Sequence, residues 1–192
     1  ASSILPWFRV AEKTGAKVEY IPLTSTGEMT VENFKKALHD RVKVVAVTAV
    51  SNVLGYKNPI KEITRIAHEH GAVVVCDGAQ AVPHMKVDVK DLDVDFLAFS
   101  SHKCCGPTGV GVLYGKYDFL CETDPTLLGG GSNARFDMCG NILLKNPPFK
   151  FEAGTPAIEA VLGLKAALEY LETNNLQKVD LVKRRILSLY AD

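Results

Sequence analysis

The sequence predicts an α/β fold built on a largely parallel sheet, and three observations carry that reading. Short apolar runs recur at 42–50, 72–76, 96–99 and 109–114, the first two rich in β-branched residues. Helical spacing of apolar residues falls between the first of them and on either side. Polar loops leave the carboxyl ends of these runs, as they do where consecutive strands run the same way.

The elements follow in order. Residues 1–14 place Ile4, Phe8 and Ala11 at helical spacing, with Gly15 as a stop. This helix has no cap or lead-in, which reads as a cut N-terminus. Residues 17–22 alternate and predict a strand. Thr30 caps a helix running to about Leu38, without the residue three further on that completes a capping box. The run 42–50 reads as a central parallel strand covered on both faces. Ile63, Ile66 and Ala67 mark the buried face of a helix over 60–70, stopped by Gly71. Strands follow at 72–76, 96–99 and 109–114. Beyond Tyr117 the pattern loosens. Gly129, Gly130, Gly131 and Pro147-Pro148 mark flexible segments, and 136–144 has no strong period. A long helix over 156–172 carries Ile158, Val161, Leu162, Ala166 and Leu168 near one side. A second helix over 179–190 turns Lys183, Arg184 and Arg185 to solvent.

Composition narrows the function. The 192 residues suffice for one large domain with a real core. A 47% hydrophobic share against 23% charged is that of a soluble globular protein, and net charge is zero, so nucleic acid and acidic membrane surfaces are not expected partners. No apolar run approaches the roughly 20 residues of a membrane helix, and no signal peptide is visible. Cys76, Cys104, Cys105, Cys121 and Cys139 are odd in number and irregularly spaced, so they read as free thiols in a reducing, cytoplasmic setting. Without a CxxC pair, no metal site is expected.

The chemistry gathers at the strand ends. Ser51-Asn52, Asp77 with Gln80, and Ser100-Ser101-His102-Lys103 each follow an apolar run, and Gly106, Pro107 and Gly109 break the chain next. In open parallel sheets, ligands bind at the carboxyl ends of strands. A lysine placed there, beside hydroxyls and an imidazole, can form a Schiff base with a carbonyl. An acid that keeps a ring nitrogen protonated, with such a lysine, is what pyridoxal phosphate needs. Hydroxyls and a histidine nearby can hold its phosphate. Asp77 also suits a plain turn, Asn52 an ordinary loop, and His68, His84, Lys57, Lys61 and Lys86 read as surface residues. The Gly-x-Ser-x-Gly elbow of hydrolases and the Gly-x-Gly-x-x-Gly dinucleotide loop are absent.

These residues fall into a known pattern. Thr48-Ala49-Val50-Ser51-Asn52-Val53-Leu54-Gly55, Cys76-Asp77-Gly78-Ala79-Gln80-Ala81-Val82-Pro83-His84, Phe99-Ser100-Ser101-His102-Lys103, Gly106-Pro107-Thr108-Gly109 and Phe151-Glu152-Ala153-Gly154-Thr155-Pro156 come in one order. In this order the chain resembles the class V aminotransferase-like enzymes of fold type I, and within them the group II cysteine desulfurases. The resemblance covers most of residues 1–172. It implies a three-layer large domain over 1–172, lacking its N-terminal segment, with 173–192 leading into a smaller C-terminal domain.

It further implies pyridoxal 5′-phosphate as cofactor. Lys103 resembles the Schiff-base lysine that also moves the substrate Cα proton. Asp77 resembles the partner of the ring nitrogen, Gln80 that of the phenolic oxygen, and Ser100 and His102 the phosphate ligands. Asn52 resembles the residue near both the cofactor oxygen and the substrate carboxylate. Thr155 resembles a threonine that reaches the phosphate of a neighbouring subunit, which implies a homodimer. The implied reaction takes L-cysteine to L-alanine and passes sulfur, as an enzyme persulfide, to an acceptor protein for iron–sulfur cluster assembly. The family nucleophile lies in the C-terminal domain and matches none of the five cysteines here, so the isolated chain is expected to be inactive. Cys104 and Cys105 replace residues that are usually apolar or aromatic and are expected to pack under the lysine loop. Ser132 to Gly140 depart from the usual continuation of the triple glycine. Two other readings fit the same motifs: a selenocysteine lyase or other class V enzyme acting on L-selenocysteine or another amino acid, and a truncated, non-catalytic folded module.

Overall fold

The computed structural model describes residues 3–174, so the helix expected over 179–190 and nearly all of 173–192 lie outside the described residues. The main sheet has four strands in the order β1 (Val44–Thr48), β2 (Val73–Asp77), β3 (Phe96–Ser100) and β4 (Gly111–Gly115). The first three are parallel and β4 returns antiparallel to β3. All four expected runs recur as strands, with bounds that differ by one or two residues. The sheet is therefore mixed, mainly parallel and flanked by helices, as expected.

Register explains the core. Val47, Cys76, Leu97 and Tyr114 lie side by side across the four strands. With Val45 and Val74 they form one face, which packs against helix α3 (Ile60–Glu69) through Ile63, Ile66 and Ala67. Phe34 of helix α2 (Val31–Ala37) joins the same cluster, and Thr30 caps α2 by accepting the Asn33 N–H at 3.1 Å. Gly71, at φ +69, ends α3, and the Gly71 N–H reaches the His68 carbonyl at 2.9 Å.

The opposite face differs from expectation. In β1 burial alternates, and Val44 is 45% exposed. Leu113, opposite Ala98, is 58% exposed. Helix α5 (Tyr117–Glu122) covers only one end, where Leu120 meets Gly115 and Phe119 tilts against Phe96 at 6.0 Å. The β-branched run suits either a one-sided or a two-sided strand. Among the described residues only one face of β1 is closed.

Two further expectations are corrected, and two more gain detail. Residues 17–22 form no strand; the alternation is present, but no neighbouring chain pairs with it, and Tyr20 is 64% exposed. Helix α1 (Leu5–Thr14) forms, but it buries no residue, and Ile4 and Phe8 of the expected face are exposed. The long helix forms as α6 (Ile158–Thr173), yet its buried residues are Leu164, Ala167 and Leu171, whereas Ile158, Val161, Leu162 and Leu168 are exposed. Apolar residues occur on more than one side of α6, so periodicity alone picked the wrong face. The patternless stretch 136–144 contains part of a hairpin, β5 (Asn133–Phe136) with β6 (Ile142–Leu144). Phe136, Ile142 and Leu143 are all exposed, so no alternation marks it. Its turn is held by Asp137, whose carboxylate accepts the N–H groups of Cys139 and Asn141 at 2.9 and 3.0 Å. The side-chain and backbone donors of Asn141 hold that carboxyl below its usual range.

A buried charge locks the sheet below its carboxyl edge. Asp95 is 1% exposed and accepts the Val74 N–H at 2.7 Å, His68 Nε2 at 2.9 Å and Lys116 Nζ at 2.9 Å. His68, expected at the surface, is thus half-buried and tied to β3.

Candidate active site

Lys103 sits on a 3-10 turn, Ser101–Cys104, that continues β3. Residues three apart eclipse in such a turn. Ser101 and Cys104 accordingly point inward, both 0% exposed, while His102 and Lys103 face outward. Cys105 ends the turn at φ +60, and the Gly106 N–H returns to the Ser101 carbonyl at 3.1 Å. Cys104 packs under the loop as expected; Cys105 does not, and is exposed. Burial, then the neighbouring Cys105, pushes the Cys104 thiol up. Burial also pushes Cys76 up to about 12, with the charge of Asp77 adding to it.

Helix α6 braces this turn from behind. Gly163 lies so close to Pro107 that a Cβ would stand 2.9 Å from Pro107 Cγ. A Cβ on Gly106 would meet Ser101 Oγ at 2.2 Å and Ala167 Cβ at 3.4 Å. Ser101 Oγ has no partner among the described residues. Gly106→Ala is expected to cost about 1–3 kcal/mol by overpacking, read as a lower melting temperature. Adding Ser101→Gly, which clears the crowded hydroxyl, should recover part of that loss; no recovery would place the strain elsewhere.

Asp77 ends β2 on the open face of the sheet, opposite Ala98. Ser100, two residues beyond Ala98, shares that face. Asp77 Oδ1 accepts the Ala79 N–H at 2.9 Å, so the acid does form its turn. Its Oδ2 accepts the hydroxyl of Ser3, a residue the sequence reading did not single out. Gln80 Nε2 donates to Asn52 Oδ1, joining the loops after β1 and β2. The Asn52 loop is itself shaped by Ser51 Oγ, which accepts the Leu54 N–H at 3.1 Å, and by Gly55 at φ +72. His84, exposed as expected, pairs through Nδ1 with the Gln80 carbonyl at 2.8 Å.

Asn52, Asp77, Gln80, Ser100, His102 and Lys103 therefore all belong to the carboxyl ends of β1, β2 and β3. Thr155 stands apart, exposed in the loop before α6, beside Gly154, whose N–H reaches the Gly130 carbonyl at 2.7 Å. No hydrogen bond joins Thr155 to the other six among the described residues. Two concavities of about 750 and 340 Å³ lie along α3 and the short helix α4 (Val89–Leu92), and neither is lined by Asp77 or Lys103. Together the six side chains offer one carboxylate, one exposed amine, a hydroxyl, an imidazole and two amides. That set matches the basic ring nitrogen, aldehyde, phosphate and phenolic oxygen of pyridoxal phosphate.

Relatives extend over nearly the whole chain. A probable cysteine desulfurase of Halalkalibacterium halodurans is 47% identical over 181 residues, 93% of this chain and 44% of its own length. A cysteine desulfurase of Haloferax volcanii is 44% identical over 190 residues, 99% of this chain and 44% of its own. The crystal structure of the cysteine desulfurase CsdA from Escherichia coli superposes with a TM-score of 0.93 at 38% identity, over 98% of this chain and 47% of that one. An apo cysteine desulfurase from Thermococcus onnurineus gives 0.89 at 42% identity, with 98% and 48% covered. The fold is thus that of the fold type I cysteine desulfurases, and the chain spans less than half the length of the curated relatives it matches. The aminotransferase class-V profile matches residues 1–190, and the chain belongs to that family.

Proposed function

We propose that the protein carrying this chain is a pyridoxal-phosphate-dependent cysteine desulfurase, and that this chain supplies the floor of its active site. The observation that carries the reading is the set of six polar side chains on three adjacent strand ends, in a chain superposing on a cysteine desulfurase at a TM-score of 0.93. A structural neighbour of lower identity, SspA, was solved with cysteine bound, which supports an amino acid of that kind as substrate.

Each residue then has a task. Lys103 Nζ would hold the cofactor through its aldehyde, and as a free amine it would take and return the proton at the substrate Cα. Asp77 holds the proton on the ring nitrogen. The Asn52–Gln80 pair faces the phenolic oxygen, with Asn52 also reaching the substrate carboxylate. Ser100 and His102 hold the phosphate, and Thr155 of a second copy completes its cup, which makes the enzyme a homodimer. When bound, pyridoxal phosphate supplies an electron sink for the carbanion formed at Cα. The sulfur goes to an enzyme cysteine and then to an acceptor protein. Cys76 and Cys104 are poor candidates for that role, since burial disfavours their thiolates. The chain is assigned as part of a large domain followed by a smaller one. Among the described residues no helix is long and apolar enough to cross a membrane.

The protein carrying this chain, loaded with pyridoxal phosphate, is expected to release alanine from L-cysteine. Faster release from L-selenocysteine, with none from L-cysteine, points to a selenocysteine lyase instead. No alanine from either rejects both.

A further inference from the structure

We propose that Ser3 is a positioning residue for Asp77: its hydroxyl, donated to Oδ2 from the turn before α1, fixes the plane of the carboxylate that meets the cofactor ring. This rests on the functional reading above. A carboxylate offers about four lone-pair sites on two oxygens. The Ala79 N–H takes one site on Oδ1 and Ser3 takes one on Oδ2, which leaves a further site on Oδ2 for a ring N–H. The terminal torsion of an aspartate is broad and roughly two-fold, so one anchor leaves the plane free to rock. Two anchors on different oxygens define it. The second comes from 74 residues away in sequence, so it is no part of the local turn. Helix α1 buries no residue, and its leading turn reaches the sheet through this hydrogen bond.

The experiment is a double-mutant cycle on apparent pyridoxal phosphate affinity, in the protein carrying this chain, with the melting temperature of the cofactor-free protein measured alongside. Ser3→Ala is expected to raise the apparent Kd about 3–10-fold, the worth of one hydrogen bond. Ser3→Thr, which keeps the hydroxyl, should restore it to within about two-fold. In an Asp77→Asn background Ser3→Ala should change affinity less than about two-fold, because Ser3 acts through the carboxylate. An equal loss in both backgrounds, an unchanged Kd, or a fall in melting temperature alone would overturn the inference and leave Ser3 as a tether for α1. A wild-type protein that takes up no cofactor would overturn the functional reading, and this inference with it.

Discussion

Lys103→Ala is expected to remove the visible absorption that pyridoxal phosphate gains when it binds the protein, and to lower alanine release by at least about 10²–10⁴-fold. The lower bound is what one positioned general base contributes; loss of covalent attachment adds to it. The substitution should be structurally quiet. Lys103 is exposed on its turn and has no hydrogen-bond or ion-pair partner among the described residues, whereas the residues that hold the turn are Ser101 and Cys104. A melting temperature within a few degrees of wild type is therefore part of the expected result. If the band survives the substitution, another amine carries the cofactor and the assignment of Lys103 is wrong.

Asp95→Ala is expected to destabilise the sheet, for reasons unrelated to catalysis. The Asp95 carboxylate is buried, and three donors converge on it: the Val74 N–H of β2, His68 of α3 and Lys116 just beyond β4. Burial alone pushes its carboxyl up, but the Val74 N–H, Lys116 and His68 outweigh that and hold it below the usual range. Lys116 is correspondingly held above the ordinary lysine value: burial pulls it down, and Asp93 and Asp95 more than offset this. Removing the Asp95 carboxylate leaves the buried Val74 N–H without that acceptor, while Lys116 and His68 keep Asp93 beside them, at a cost of about 1–3 kcal/mol. For a folded unit of about 150–250 residues that is a fall of roughly 2–12 °C in melting temperature.

The pH dependence has a definite sign. A carboxyl with a lowered folded pKa stabilises fully above its unfolded value, about 3.9, and loses that contribution as pH falls through the lower folded value. Lys116 mirrors this on the alkaline side. Its contribution is complete below the ordinary lysine pKa and is lost as pH rises through the raised one. Wild-type stability should thus fall more steeply below about pH 4 than that of Asp95→Ala. A loss under about 1 kcal/mol, or parallel acid limbs for the two proteins, would show that the network is not holding the strands.

Most of the fold was legible because the buried strands and α3 declare themselves by composition. The runs around Val47 and Val74 are apolar and β-branched, that around Leu97 is apolar and aromatic, and α3 repeats its isoleucines at helical spacing. Failures came where apolar residues were not buried. Residues 17–22 alternate without a neighbour to pair with, and α1 and α6 expose apolar residues that a closed core would hide. The β5–β6 hairpin exposes Phe136, Ile142 and Leu143, so no inside–outside pattern was available.

The candidate site was more legible than the surface around it. Asp77 and Ser100 end β2 and β3, and Gln80 and Lys103 stand three residues further on, so the parallel sheet itself gathers them. Ser3 was not legible, since a serine ahead of a helix reads as ordinary lead-in and its partner lies far along the chain. Asp95 left a faint sign: an acid inside the apolar run Val94–Leu97 has to find partners. Those partners, Lys116 beyond β4 and His68 on α3, are set by register and packing, which one sequence does not display.

The claim at the centre is that one exposed amine at the end of β3 carries the cofactor. Borohydride reduction of the loaded protein, followed by proteolysis and mass spectrometry, reads the attachment point directly. The reduced pyridoxyl adduct is expected on Lys103 and on no other lysine. An adduct mapped to Lys57, Lys61, Lys86 or Lys116, with Lys103 unmodified, would contradict it.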